Sequence, residues 1–159
     1  MTRKEQYNQL ILQIAGLIKD ETNLVGILAN VSAALHDTFP ERFFWVGFYL
    51  QENGNMLRLG PFQGSVACYV IPFGKGVCGK AWEEGCTLIV PDVEKFPGHI
   101  ACSSLSRSEI VVPMYDDSHT FRGVLDIDST RLNDFNEDDR EGLERIIKLL
   151  MAETQDLFQ

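Results

Sequence analysis

The sequence EIVVPMYDDSHTFRGVLDID, which spans residues 109–128, contains two strand-like segments separated by a short polar turn. The segments run from Glu109 to Tyr115 and from Thr120 to Asp128, and both are rich in β-branched and aromatic residues. The four residues between them, Asp116-Asp117-Ser118-His119, are typical of a turn. Because so short a connection joins antiparallel neighbours, this stretch predicts a β-hairpin.

Other elements are predicted on both sides of the hairpin. Apolar residues at helical spacing predict a helix near residues 4–19, a second after Thr22 or Asn23, and a last one after Phe135. Strands are predicted at 43–50, 56–59, 66–71 and 87–90, a glycine-rich loop at 74–79 opens a short helix through Trp82, and 91–107 form a long surface loop. Long βαβ alternation is absent, which favours an α+β domain with an antiparallel sheet and helices on its faces.

The composition is that of one globular domain over residues 1–159. A formal net charge of −9 argues against nucleic acid as a partner, because phosphate-backbone binding needs clustered Lys and Arg. It argues equally against an anionic membrane surface. No run of about 18 apolar residues is present, and the first residues, MTRKEQ, do not begin a signal peptide. We therefore expect a cytoplasmic protein.

Four cysteines, Cys68, Cys78, Cys86 and Cys102, are informative in that compartment. Stable disulfides are disfavoured there, so each cysteine is either a small packing residue or a redox-active thiol. Cys78 lies between glycines at the predicted start of a helix, where N–H groups and the helix dipole stabilise a thiolate. Cys102 lies near the end of the long loop, three residues after His99, which suits a reachable sulfur. Cys86 is interpreted as a packing residue at a strand edge.

A thiol redox cycle needs two of these sulfurs. One attacks and becomes a sulfenic acid, and a second condenses with it to a disulfide that a reducing protein resets. Cys68 and Cys78 are available partners for Cys102, although helix-start chemistry alone favours Cys78 as the attacking sulfur. Two alternatives stay open: Cys102 is a loop thiol without a partner, and His99 is an exposed loop histidine.

Three acidic residues lie within or at the end of apolar strands, where a carboxylate is costly unless it binds something. Asp126 and Asp128 alternate with apolar residues, so both face the same side of their strand, and Glu109 begins the other strand of the hairpin. They form a candidate cluster for an ammonium group, and one can supply a proton to a leaving oxygen if crowding raises its pKa. The alternative is a set of strand-end charges that face water.

Two aromatic residues complete the candidate site. Trp45 and Tyr49 are four positions apart in the first predicted strand, so their side chains share one face. They are either core residues or one wall of a small-molecule pocket.

No metal and no cofactor are expected. Cys78, Cys86, His99 and Cys102 lack the paired C-x₂₋₄-C spacing of structural zinc sites. The glycine-rich loop is not a P-loop, because no Lys-Ser or Lys-Thr follows its second glycine at the required place.

Six motifs in a fixed order resemble those of a known family. They are GPFQG at 60–64, GKGVCG at 74–79, VPDV at 90–93, PGHIAC at 97–102, SEIVVP at 108–113 and GVLDIDS at 123–129. Together they resemble free methionine-R-sulfoxide reductase, a family of stand-alone GAF domains, over nearly the whole chain. The resemblance implies a roughly six-stranded antiparallel sheet with helices packed on it, often as a homodimer. It also implies an enzyme that reduces the R epimer of free L-methionine sulfoxide, with thioredoxin as reductant.

The resemblance assigns roles to the sulfurs. Cys102 matches the family's catalytic cysteine, and Cys68 and Cys78 match its two recycling cysteines, with the first disulfide partner left open. One departure is visible, because many members carry an acidic residue directly after the catalytic cysteine and this chain has Ser103 there. Cys86 matches no family role.

The resemblance also assigns the pocket. Glu109, Asp126 and Asp128 match the acidic cluster that holds the substrate and assists proton transfer, and Trp45 and Tyr49 match the aromatic wall near the sulfoxide methyl. Two other functions fit the same residues: a GAF module that binds a small ligand without turnover, and a redox-responsive regulator that switches through a cysteine pair and acts on a partner.

Overall fold

The structure, a computed structural model, describes residues 1–158, and over this range the chain forms four α-helices and six β-strands. The helices are α1 (Arg3–Ile18), α2 (Leu24–Thr38), α3 (Gly76–Glu84) and α4 (Glu137–Thr154). The strands are β1 (Trp45–Glu52), β2 (Met56–Gln63), β3 (Val70–Pro72), β4 (Leu88–Val90), β5 (Ser108–Tyr115) and β6 (Phe121–Ser129). Two short 3₁₀ helices, Val93–Lys95 and Gln155–Leu157, complete the regular structure of this range.

The six strands form one sheet in the order β3-β2-β1-β6-β5-β4, and every neighbouring pair is antiparallel. The predicted hairpin is β5–β6, and its register places Glu109 opposite Asp128. The α+β class and the antiparallel sheet of six strands are therefore confirmed. β1 and β6 pair at the centre of the sheet although they lie far apart in the sequence, so the centre of the sheet joins distant parts of the chain.

Alternation along the central strands gives the sheet two different faces. One face is covered by α1, α2 and α4, and β1 contributes Val46 and Phe48 to the core between them. The other face carries α3, and β1 contributes Trp45 and Tyr49 to that side. The helical face thus holds the main apolar core, and the α3 face is left to form a pocket.

Helix starts follow the capping signals in the sequence. Thr2 caps α1 in a capping box with Glu5, and Asn136 caps α4 in the same manner with Asp139. Asn23, one of the two predicted candidates, caps α2 by accepting a hydrogen bond from the Gly26 N–H. These side chains satisfy N–H groups that a helix cannot pair internally.

The third predicted strand, 66–71, is wrong over its first four residues, because β3 begins only at Val70. Side chains of β1 take the place of a strand partner there. The Trp45 indole donates to the Ser65 carbonyl at 3.0 Å, and the Tyr49 hydroxyl donates to the Cys68 carbonyl at 3.2 Å. The irregular segment 65–69 is therefore attached to the pocket wall.

The interpretation of Cys86 as a packing residue is also wrong, because Cys86 is exposed. It follows Gly85, whose φ of 68° ends α3 in a left-handed turn, and it precedes the start of β4 at Leu88. The Cys86 side chain in this turn therefore neither packs beside a strand nor reaches the apolar core.

Candidate active site

A pocket opens on the α3 face of the sheet. Strand β1 supplies Trp45 and Tyr49, the β5–β6 hairpin supplies the three acids, the start of α3 supplies Cys78, and the long loop supplies His99 and Cys102. Sequence positions between 45 and 128 therefore meet at one place. The structure brings together seven of the eight site residues predicted from the sequence as pocket lining, and the eighth, Cys68, is covalently joined to Cys102.

The acidic cluster is built by the register of β5 and β6. Glu109 lies opposite Asp128, and Asp126 lies two residues along on the same face. Glu109 and Asp126 are only 5% and 6% exposed, so they do not face water as the alternative interpretation required. The three carboxyl groups therefore lie close together in one small pocket.

Crowding and burial shift the titration of this cluster. Burial, followed by the negative charges of Asp126 and Asp128, raises the pKa of Glu109 well above its usual range. Burial likewise raises the pKa of Asp126, and burial with the Asp126 charge raises that of Asp128. Because like charges at this distance resist ionising together, the cluster retains a proton under conditions in which an exposed carboxyl group loses it.

Two of the four cysteines are joined. Cys68 and Cys102 form a disulfide across 34 residues, with a Cα–Cα separation of 5.6 Å. The sequence left the partner of Cys102 open between Cys68 and Cys78. In this structure the partner is Cys68, and Cys78 and Cys86 carry free thiols.

Cys78 does not have the environment that its helix-start position predicts. It is 3% exposed, and burial followed by the charges of Asp126, Glu109 and Asp128 raises the pKa of its thiol well above the usual value. A thiolate is therefore disfavoured at this sulfur, although it lies in the first turn of α3. Burial, together with the neighbouring acids, outweighs the effect of the helix dipole on the Cys78 thiol.

An aromatic wall faces the acids. The Trp45 ring stacks on Tyr49 at 5.8 Å between centroids and on Phe62 at 5.0 Å. Phe62 belongs to the GPFQG motif but received no role from the sequence, because its contact with Trp45 depends on the β1–β2 pairing. Gly64, with φ of 145°, closes the wall, since a Cβ there would lie 2.5 Å from the indole ring.

His99 lies in the pocket and is not an exposed loop histidine. Its Nε2 is 3.8 Å from Oε1 of Glu109, and burial lowers its pKa. The next residue, Ile100, packs on Gly76, where φ is 61° and a Cβ would lie 3.1 Å from the isoleucine side chain. This contact seats the loop that carries Cys102 on the first turn of α3.

The remaining space in the pocket is small. The cavity volume is about 40 Å³, which is enough for only a few water molecules. In the disulfide state, the Cys102 segment therefore covers the acids and the aromatic wall without leaving room for an amino acid.

The fold and the pocket have clear relatives among known proteins. The GAF domain family matches residues 21–151. The free methionine-R-sulfoxide reductase of Saccharomyces cerevisiae is 43% identical over 155 residues, which cover 94% of this chain and 86% of that protein. The chain belongs to the free methionine-R-sulfoxide reductases. The chain is therefore an enzyme with the GAF fold, in agreement with the resemblance seen in the six sequence motifs.

Two further comparisons show similarity over most of the chain. GAF domain-containing protein A of Dictyostelium discoideum is 57% identical over 149 residues, 94% of this chain and 92% of that protein. The crystal structure of the Neisseria meningitidis free methionine-R-sulfoxide reductase, described as a complex with its substrate, superposes with a TM-score of 0.93 at 47% identity and covers 98% of this chain and 92% of that one. Across residues 1–158, no helix has the length and apolar character needed to cross a membrane.

Proposed function

We propose that this chain reduces free L-methionine-R-sulfoxide to L-methionine and that Cys102 is the attacking sulfur. The observation that carries the proposal is the Cys68–Cys102 disulfide, which lies over a pocket with buried acids on one side and an indole on the other. The proposal extends to this chain the activity for which its relatives in yeast and Neisseria meningitidis are named.

Recognition follows from the chemistry of the pocket walls. The substrate's ammonium group neutralises part of the negative charge of Glu109, Asp126 and Asp128, which burial otherwise makes costly. The sulfoxide methyl packs against the Trp45 indole, which offers an apolar surface. A methionine sulfoxide within a peptide lacks the charged amine, so this pocket rejects it.

The reductive step needs a thiolate and an acid. The Cys102 thiolate attacks the sulfoxide sulfur while a carboxylic acid of the cluster protonates the sulfoxide oxygen. The bond between this oxygen and the methionine sulfur then breaks as the oxygen transfers to the Cys102 sulfur, the transient sulfur–sulfur bond breaks, and methionine leaves with two more electrons than the sulfoxide had. The oxygen remains on Cys102 as a sulfenic acid. Glu109 and Asp128 are the proposed proton donors, because burial and the neighbouring Asp126 charge raise their pKa values, so that they hold a proton more tightly than an exposed carboxyl group does.

The second half of the cycle resets the sulfurs. The Cys68 thiol condenses with the Cys102 sulfenic acid, water leaves, and the disulfide forms. Thioredoxin then reduces this disulfide by thiol–disulfide exchange and becomes oxidised itself. Cys78 is the second recycling cysteine in this scheme, and its raised pKa makes it the slower nucleophile of the two. Such a cycle suits the cytoplasm, and a homodimer is the proposed assembly.

A turnover assay tests the proposal directly. The reduced protein is incubated with free methionine-R-sulfoxide and dithiothreitol, and methionine is measured. Cys102→Ser is expected to abolish turnover, whereas Cys86→Ser, which changes an exposed cysteine outside the pocket, leaves it intact. N-acetylmethionine sulfoxide is expected to be a poor substrate. Binding of the sulfoxide without methionine formation would favour a sensory GAF module instead.

A further inference from the structure

One group of side chains in the pocket combines two carboxylates with a thiol, and the proposed reductive step does not use this thiol. The Cys78 sulfur and one carboxylate oxygen each from Glu109 and Asp126 lie within 4.8 Å of one another, and all three residues are buried. The proposed first step uses the acids but not the Cys78 thiol. A buried thiol beside buried carboxylates is a donor set for a thiophilic divalent cation.

A second observation at the same place is a buried polar atom that lacks a hydrogen-bond partner. Oδ1 of Asp126 is buried and has no hydrogen-bond partner among residues 1–158. A buried carboxylate oxygen without a donor is costly, and the cost is removed when a cation binds. The substrate's ammonium is one such cation, and a metal ion is another.

We propose that this chain binds one Zn²⁺ ion through Cys78, Glu109 and Asp126, and that the ion blocks the site of the substrate's ammonium group. The inhibitory part of this inference rests on the function proposed above, whereas the binding part does not. Zn²⁺ replaces the thiol proton and any carboxyl protons when it binds, so protons are released to solvent.

The geometry requires only modest adjustment. With Zn–S bonds of about 2.3 Å and Zn–O bonds of about 2.1 Å, tetrahedral ligand atoms lie roughly 3.5 Å apart, so the three groups must draw together slightly. His99 lies outside this group of three donors, so a water molecule is assigned the fourth position, as in other three-ligand zinc sites. The cavity of about 40 Å³ is too small for an amino acid but large enough for a single ion.

The types of ligand atom also determine which metal ions the site prefers. A thiolate ligand favours Zn²⁺ or Co²⁺ over Mg²⁺ and Ca²⁺, which prefer sites made only of oxygen. The site does not need Cys102, because Cys78 is free while Cys68 and Cys102 are joined. Zinc is therefore expected to bind the disulfide form as well as the reduced form, unlike an ion that a redox-active thiol merely traps.

The oxidised Cys86→Ser protein isolates this site, because Cys78 is then the one free thiol among its three remaining cysteines. Equilibrium dialysis is expected to give one Zn²⁺ per chain, and Co²⁺ is expected to give a thiolate-to-cobalt charge-transfer band. Adding Cys78→Ser should remove the band and lower zinc affinity at least about tenfold, and adding Asp126→Asn, nearly the same shape, should lower it comparably. Circular dichroism checks that each variant is folded.

Activity then separates the two proposals. In the reduced Cys86→Ser protein, Zn²⁺ is expected to raise the apparent KM for the sulfoxide, and Mg²⁺ is expected to have no effect. Stoichiometric zinc without any turnover would contradict the proposed function and leave the site standing. Turnover without stoichiometric zinc, or zinc and a cobalt band that persist after Cys78→Ser, would overturn the site and leave the function standing.

Discussion

The hydroxyl of Tyr49 donates a hydrogen bond to the backbone carbonyl of Cys68, with an oxygen–oxygen distance of 3.2 Å. One residue thus forms part of the aromatic wall and also holds the segment that carries the partner of Cys102. Trp45, four residues earlier on the same face of β1, makes a similar contact through its hydrogen bond to the Ser65 carbonyl. Strand β1 therefore connects the aromatic wall of the pocket with the segment that carries Cys68, the partner of Cys102.

Tyr49→Phe is expected to slow disulfide formation more than it weakens substrate binding. The ring and its stacking on Trp45 remain, but one net hydrogen bond of about 1 kcal/mol is lost and the Cys68 segment is held less firmly. The rate at which the Cys102 sulfenic acid disappears, followed with a sulfenic-acid trapping reagent, checks this. Tyr69→Phe is the matched control, since Tyr69 is 76% exposed. Equal rates in the two variants would contradict a positioning role for Tyr49.

Much of the fold could be predicted because its signals are local. Period-two alternation placed Asp126 and Asp128 on one face, and the short turn at 116–119 identified the hairpin that sets Glu109 opposite Asp128. The capping candidates Thr22 and Asn23 located the start of α2, which Asn23 caps. These features depend on interactions between residues that are close in the sequence, so a local stretch of sequence is enough to predict them.

The parts that could not be predicted depend on long-range contacts. The electrostatics of Cys78 were predicted with the wrong sign, because a helix start favours a thiolate while the acids that oppose it belong to β5 and β6. The partner of Cys102 depends on how the irregular segment at 65–69 crosses the pocket. His99 and Phe62 lacked assigned roles for the same reason: their neighbours are supplied by other elements.

Cys68→Ser is expected to permit one turnover and then stop at the sulfenic acid. Without reductant, the wild-type chain should also release one methionine per chain but end as the Cys68–Cys102 disulfide. Intact-mass analysis after a trapping reagent distinguishes the two products, because only the variant retains a trappable sulfenic acid. Cys86→Ser should behave as the wild type. A disulfide that forms equally fast in Cys68→Ser would transfer the recycling role to Cys78.

Glu109→Gln is expected to abolish most turnover and to stabilise the fold at neutral pH. The pKa of Glu109 is raised in the folded chain, so the folded state binds more protons than the unfolded state. Its contribution to the free energy of unfolding is therefore fully present below the ordinary carboxyl pKa and is lost as pH rises through the raised value. Glutamine keeps the shape without the ionisable group, so the variant's stability should decline less with pH.

Denaturant unfolding from about pH 5 to about pH 8 measures this difference. Glu153→Gln, which changes an exposed residue of α4, provides the control and should follow the wild-type curve. A wild-type stability that increases with pH over this range by more than that of Glu109→Gln would show that Glu109 is an ordinary ionised carboxylate.

Arg42→Ala is expected to destabilise the fold by about 3–5 kcal/mol, because it removes the more buried of the two guanidinium groups that pair with the buried Asp139 carboxylate and leaves only Arg3, at 2.8 Å. The guanidinium of Arg42 bonds both carboxylate oxygens of Asp139, at 2.9 and 3.0 Å, and its Nε contacts Asp134 at 3.3 Å. Asp139 is fully buried and also accepts a hydrogen bond from the Tyr7 hydroxyl, which connects α1 to α4.

Arg131→Ala supplies the comparison, since its pair with Glu41 is exposed and 3.7 Å long. Such a pair contributes at most about 1 kcal/mol. Denaturant unfolding of both variants measures the contrast, and dithiothreitol-driven turnover per folded chain should be similar for both, because neither arginine lines the pocket. Equal losses of stability would mean that Arg3 and Tyr7 alone satisfy Asp139 and that the Arg42 contact adds little to the fold.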